Sequence, residues 1–285
     1  MPKSLRLIFT ASAFLAFFMT GGLLGRLLLP IVMALPGSPE RRRARREGFF
    51  LWANRVFVGY MRALRLIYFE RPPLPPDLPP SGQAYVVIAN HPSLIDTLLL
   101  GATLPGLTMV AKASWYRSWL LGPLLKHGGH VRGPEPRALA EAGASDMSEE
   151  TGSDRPVLAR MVAQLRAGRP LLVFPEGSRS PERALRRFRR GALEAAIEAG
   201  VPILPAFIAV APPMLMKHQK WHDIPQRGGR FTLEFFPLIP TAGRELDARA
   251  LNKQLRERFE ARHQQMLRDR DALAAPPQPA ALPGA

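Results

Sequence analysis

Two short segments of this sequence carry side chains that can move a proton and hold an anion. One reads Asn90-His91-Pro92-Ser93-Leu94-Ile95-Asp96, the other Phe174-Pro175-Glu176-Gly177-Ser178-Arg179-Ser180. A neutral imidazole acts as a general base when a carboxylate holds one ring nitrogen, because the other then keeps its lone pair for a hydroxyl proton. His91 and Asp96 can supply that pair, with the attacking hydroxyl coming from a substrate. On a continuous helix five residues turn through about 500°, so the two side chains would diverge by about 140°. With His91 in a loop and Pro92 opening a helix, Asp96 can turn back toward the ring. Alone, this spacing describes a loop histidine ahead of an early-helix aspartate favoured by the helix dipole better than it describes a catalytic pair. In the second segment Gly177 permits close backbone approach, and the Arg179 guanidinium can fork onto phosphate oxygens. Downstream, Arg186, Arg187, Arg189 and Arg190 bracket Phe188. They read either as a solvated charge run or as a basic rim that draws a phosphorylated headgroup.

Both segments directly follow runs expected to be strands, the place where open α/β sheets build their sites. Strands are expected at Ala84–Ala89, Leu107–Lys112, Gly129–Arg132, Pro170–Phe174, Ile203–Val210 and Arg230–Phe236. Helices are expected at Leu94–Thr103, Trp115–Lys126, Val157–Ala167, Ala192–Ala199 and Asp247–Arg270. This alternation predicts an α/β fold, a layered sheet flanked by helices, over residues 83–272. Within it, residues 133–156 are rich in Gly, Ala, Ser and acidic side chains and read as a flexible surface insertion. The Ala/Pro-rich tail 273–285 reads as disordered.

The front of the chain differs. Of the formal +16 charge (39 Lys plus Arg against 23 Asp plus Glu in 285 residues), residues 1–70 hold eleven basic and three acidic side chains. Leu7–Gly25 is free of charge, and nineteen helical residues span about 28 Å, close to the hydrocarbon thickness of a bilayer. Residues 1–37 therefore read as a membrane anchor. It is either a single span or, broken at Gly21, Gly22, Gly25 and Pro30, a hairpin dipping into one leaflet. The cluster Arg41, Arg42, Arg43, Arg45 and Arg46 outweighs Lys3 and Arg6, which puts the bulk of the protein on the cytoplasmic side. Residues 38–70 read as a basic amphipathic helix suited to an anionic lipid interface, or to packing on the main domain. Pro72, Pro73, Pro75, Pro76, Pro79 and Pro80 make 71–82 a stiff linker.

The absence of cysteine excludes a disulfide scaffold, a Cys-ligated zinc site and thiol catalysis. His127 with His130, and His218 with His222, are spaced like paired metal ligands. However, Gly128 and Gly129 interrupt the first pair and no His-Glu-x-x-His occurs, so no metal site is expected. Neither a G-x-S-x-G elbow nor a G-x-x-x-x-G-K-[ST] loop is present. The basic surplus by itself would also suit a non-enzymatic membrane tether or nucleic-acid binder.

The two segments, in this order, resemble the signature blocks of the glycerolipid acyltransferase family, which includes bacterial 1-acyl-glycerol-3-phosphate acyltransferases. NHPSLID is similar to the family's NHxxxxD block, and FPEGSRS to its FPEGTRS block with Ser178 in place of threonine. VPILPAFI (Val201–Ile208) resembles the fourth block, and Phe188–Ala192 its basic approach. The resemblance implies that His91 takes the proton of an acceptor hydroxyl, that Asp96 orients it, and that the alkoxide attacks an acyl thioester. It further implies substrate-binding roles for Asn90, Lys112, Arg132, Glu176, Gly177, Ser178 and Arg179, with Arg132 and Arg179 on the acceptor's phosphate. The implied partners are a phospholipid membrane, a lysophospholipid acceptor, and acyl-CoA or acyl carrier protein as co-substrate. It implies no further cofactor, no nucleic acid, and a place on the cytoplasmic face of a bacterial inner membrane. KHGGHVRG departs from the second block, and Lys217–Pro225 and the acidic insertion also leave the pattern, so the acceptor stays open between lysophosphatidic acid and another lyso-lipid.

Overall fold

The computed structural model describes residues 2–134, 155–223 and 225–274. Most of the acidic insertion expected over 133–156, and the tail from 275, lie outside the described residues. Seven strands form one sheet in the order β1-β7-β6-β2-β5-β3-β4. They are β1 Ile67–Phe69, β2 Val86–Ala89, β3 Thr108–Ala111, β4 Val131–Arg132, β5 Leu171–Val173, β6 Ile203–Ala211 and β7 Gly229–Phe235. All neighbours run parallel except β6 and β7.

β2 shows why the sheet is central. Its four residues are all buried, and the period of two sends Val87 and Ala89 to one core and Val86 and Ile88 to the other. The first core is closed by three helices, α1 (Lys3–Ala34), α2 (Pro39–Ala63) and α3 (Asp96–Thr103), through Ala13, Val58, Met61, Leu99 and Leu100. The second is closed by α6 (Arg155–Arg166), α7 (Gly191–Ala199) and α8 (Ala248–Ala274), through Met161, Leu165, Leu193, Leu255 and Phe259. Between β3 and β4 stand α4 (Ala113–Arg117) and α5 (Gly122–Gly128).

Three features of the front end bear on the expectations. First, of the two alternatives, α1 takes the form of one continuous helix and not of a hairpin. It continues through Pro30 with one π-bulged turn at Leu24–Leu28, and its glycines serve packing instead: a Cβ at Gly25 would stand 2.6 Å from the Leu124 amide nitrogen on α5. Arg6, Thr10, Ala13, Gly21, Gly22, Gly25 and Leu29 are buried, whereas Leu15, Met19, Leu23, Leu27, Ile31 and Leu35, each four apart, form an exposed ridge. By length and composition α1 could cross a membrane. Second, α2, started by Ser38 accepting from the Arg41 amide, ends at Ala63, and the chain enters β1 at the sheet edge. Ile67 and Phe69 point inward and Tyr68 outward, a three-residue alternation inside the segment expected to be wholly helical. α2 packs on α3, with Arg55 Nε donating to the Ala102 carbonyl at 3.1 Å. Third, the arginine cluster is partly structural. Arg45 donates to the Leu35 and Pro36 carbonyls, and Arg43 to those of Ala167 and Gly168.

The helix expected over Trp115–Lys126 is broken in two, because Gly122-Pro123 starts a new helix after Ser118 has capped the turn. His130 closes that region. Its Nδ1 accepts from the Met109 amide at 3.2 Å and Phe50 stands edge-on to its ring, so burial, helped by the Arg46 charge, pushes its pKa from 6.5 down to about 4. A folded-state pKa below the unfolded value means that the unfolded chain binds the extra proton. The contribution to stability is therefore complete above pH 6.5 and is lost as the pH falls toward 4. His130→Asn, whose carbonyl oxygen can still accept from Met109, is expected to melt with a shallower pH dependence between 7 and 5 than the parent. Equal slopes in thermal melts across that range would contradict this.

Candidate active site

The site is set by a register. β2 and β5 are parallel neighbours with Ile88 beside Val173, an offset of 85 that carries on past both strand ends and lays His91 beside Glu176. The Glu176 carboxylate accepts from the His91 amide at 2.9 Å, and the Ser180 amide donates to the His91 carbonyl at 2.9 Å. The imidazole lies flat on Phe174, with ring centroids 4.0 Å apart and planes 13° from parallel. The second segment thus fixes the backbone and the ring plane of the histidine in the first.

Asp96 completes the arrangement. α3 starts at Asp96 itself, not at Leu94 or Pro92 as expected, so the chain from His91 to Ile95 is free to loop back. Asp96 Oδ2 sits 2.9 Å from His91 Nδ1 and accepts from the Ser93 amide at 2.7 Å. An oxygen already accepting from an amide is an acceptor toward the ring as well, which places the proton on Nδ1 and leaves Nε2 with its lone pair. The carboxylate has no solvent exposure. Burial raises its pKa above the ordinary carboxylate range, while the imidazole, the Ser93 amide and the Arg179 charge oppose that shift and favour the anion.

A cavity of about 1920 Å³ opens beside the imidazole. Phe14, Phe17 and Phe18 of α1, Phe50 and Phe57 of α2, Leu124 of α5 and Leu121 just before it give it an apolar wall. The wall is tied together by Phe17 against Phe57 and by Phe18 stacked on Trp115. His91, Lys112, Gly177, Ser178 and Arg179 also line it, as do Arg186, Arg187, Arg189 and Arg190. Gly177 makes its turn at φ +66, and burial lowers the Arg179 pKa while the nearby Asp96 charge raises it.

Three residues expected to bind substrate have other contacts or another place. Asn90 is buried, and its carboxamide accepts from the Ile208 amide at 2.7 Å and donates to the Ile208 carbonyl at 2.8 Å, clipping the end of β2 to β6. Glu176 lines the cavity, but its two oxygens accept from the His91 and Arg186 amides, so it acts as a backbone clamp; burial raises its pKa. Arg132 is exposed on the edge strand β4 and is not among the described residues that line the cavity. Sequence reasoning missed Ser93, whose hydroxyl donates to the Met214 carbonyl, and the stacking role of Phe174. Both stand within the two quoted segments, but nothing in their spacing marks a partner more than a hundred residues away or a ring contact.

The family model described as Acyltransferase matches residues 74–209, a span that holds both segments and the dyad. Just under half of the chain is thus similar to an acyltransferase domain. Over 140 residues the chain is 34% identical to the lyso-ornithine lipid O-acyltransferase of Pseudomonas aeruginosa, covering 48% of each chain. Over 225 residues it is 26% identical to the 1-acyl-sn-glycerol-3-phosphate acyltransferase alpha of Bos taurus, covering 78% of this chain and 71% of that one. The chain thus spans about half the length of the first of these relatives. The crystal structure of the 1-acyl-sn-glycerophosphate (LPA) acyltransferase of Thermotoga maritima shares the fold, with a TM-score of 0.63 at 19% identity over 94% of this chain and 98% of that one.

Asp96→Asn keeps the shape of the His91–Asp96 pair but removes the anion, and an amide can present its NH2 to Nδ1 and so favour the wrong tautomer. Turnover that relies on His91 as a general base is expected to fall by about 10²–10⁴-fold in this variant, with the thermal melt preserved. A kcat/KM within about threefold of the parent would contradict the role given to the carboxylate.

Proposed function

We propose that this protein is an acyltransferase that moves a fatty acyl group from a thioester, acyl-CoA or acyl carrier protein, to the free hydroxyl of a lysophospholipid at a membrane surface. The observation that carries this reading is the His91–Asp96 pair, 2.9 Å apart, at a cavity with both an apolar wall and an arginine rim. Such a cavity suits an amphiphile: the chain lies against Phe and Leu side chains, and the headgroup faces guanidinium groups.

In the proposed reaction the acceptor hydroxyl gives its proton to His91 Nε2 as its oxygen bonds to the thioester carbonyl carbon. The Asp96 anion steadies the imidazolium through Nδ1–H. The tetrahedral adduct then collapses, the C–S bond breaks, and the ring returns the proton to the departing thiolate. The products are an ester and a free thiol. His91 and Asp96 suffice for these proton movements, and no metal or prosthetic group is needed to balance them.

Lysophosphatidic acid, 1-acyl-sn-glycerol-3-phosphate, is the acceptor we favour, because Lys112, Arg179 and the Arg186–Arg190 cluster line the cavity. A phosphate-free acceptor is the second reading. Arg132 stands off the cavity lining, Arg179 Nη1 donates to two backbone carbonyls, and the Pseudomonas relative acts on a lyso-ornithine lipid by name. α1 supports membrane attachment. One face is held against α2 and α5, and Arg26 donates to the Trp119 carbonyl, while the ridge from Leu15 to Leu35 faces outward. We read it as seating the domain on the cytoplasmic face of a bacterial membrane, lying along the lipid surface.

Purified protein in detergent, given labelled acyl-CoA or acyl carrier protein and a panel of lyso-acceptors, is expected to form phosphatidic acid by mass spectrometry. His91→Ala is expected to lose at least about 10²-fold of that rate. Product only with a phosphate-free acceptor would favour the second reading, and undiminished activity in His91→Ala would overturn the mechanism.

A further inference from the structure

The catalytic loop rests on the turn that follows β6, where three consecutive carbonyls point toward the site. The Met214 carbonyl accepts from Ser93 Oγ at 2.9 Å. The Leu215 carbonyl accepts from the Leu94 amide at 3.1 Å and from Arg179 Nη1 at 2.7 Å. The Met216 carbonyl accepts from the same Nη1 at 3.1 Å. The loop between His91 and Asp96 and the arginine facing Asp96 therefore share one support.

That support has an unusual backbone. Leu215 adopts φ +55, a left-handed conformation that leucine rarely takes and that persists only where the surroundings impose it. Gln219 helps to impose it. Its carboxamide accepts from the Met216 amide at 2.9 Å and donates to the Pro213 carbonyl at 3.2 Å, bracing the turn from both sides. With Leu215 in the extended region, the chain would leave in another direction and its carbonyl could not meet Leu94 and Arg179 together.

We propose that the left-handed turn at Leu215, braced by Gln219, is a positioning element that holds Arg179 and the catalytic loop in one geometry. The inference rests on the acyl-transfer reading for the roles of His91 and Arg179. Neither Leu215 nor Gln219 touches the reacting atoms in this account. Both act through the groups that the three carbonyls hold.

A plain packing role for Leu215, which is buried in the first core, makes the opposite forecast. If the backbone conformation matters, Leu215→Asn and Leu215→Gly should be tolerated, since both residues accept positive φ, while β-branched Leu215→Val should not. If packing matters, valine should be the mild change and asparagine the harmful one. For variants that remain folded by circular dichroism, kcat/KM is expected to fall by about 10- to 100-fold in Leu215→Val and Gln219→Leu, and to stay within about threefold of the parent in Leu215→Asn. Hydrogen exchange at the Leu94 amide gives a readout without turnover: protection should drop in Leu215→Val and persist in Leu215→Asn. A near-normal Leu215→Val with an impaired Leu215→Asn would overturn the proposal, as would unchanged Leu94 protection in Leu215→Val. Failure of the parent itself to acylate any acceptor would instead overturn the acyl-transfer reading, and the exchange pattern would still decide the role of the turn.

Discussion

The hydrogen bond from His91 Nδ1 to the buried Asp96 carboxylate determines what the rest of the fold has to accomplish. A lone imidazole on a loop would exchange tautomers and turn freely. Here one nitrogen is held by a carboxylate, the ring lies on Phe174, and the backbone on either side is pinned by Glu176 and Ser180. Placing a carboxylate where water is excluded works against its charge. The Ser93 amide, the imidazole N–H and the Arg179 guanidinium offset that cost together, so removing any one of them weakens the others' hold on the anion.

The same constraint explains the sheet order. The parallel β2–β5 pair brings the two signature segments level, and β6 on the other side of β2 provides Ile208, to which Asn90 is clipped. Since strands in parallel sheets are buried on both faces, helices must cover each side. On one side those helices leave an apolar channel between α1, α2 and α5 that runs to the imidazole. α1 therefore has two apolar faces with different partners. One closes the cavity with Phe14, Phe17 and Phe18, and the other, the ridge from Leu15 to Leu35, has no protein against it among the described residues.

Much of this was legible in the residues. The apolar runs YVVIA and LLVF, each followed by a polar segment, announced strands, and the spacing of His91 and Asp96 announced a carboxylate that could turn back to the imidazole, as it does at 2.9 Å. What spacing could not show is where long-range hydrogen bonds go. Asn90 and Glu176 look like substrate ligands in a motif, yet their polar atoms meet backbone groups 118 and 85 residues away. β1 was hidden because Ile67-Tyr68-Phe69 is too short to display a period against a long helical pattern. The break between α4 and α5 was signalled by Gly122-Pro123 but lost within an apolar stretch. The turn at Leu215 left no trace, since neither glycine nor asparagine marks its positive φ.

The protonation pattern of His91 can be observed directly. With the protein labelled with ¹⁵N at histidine and held in detergent at mildly alkaline pH, the His91 ring should show a protonated, hydrogen-bonded Nδ1 and an unprotonated Nε2, and that preference should vanish in Asp96→Asn. A ring protonated at Nε2, or one whose nitrogens do not respond to the loss of the Asp96 anion, would contradict the account.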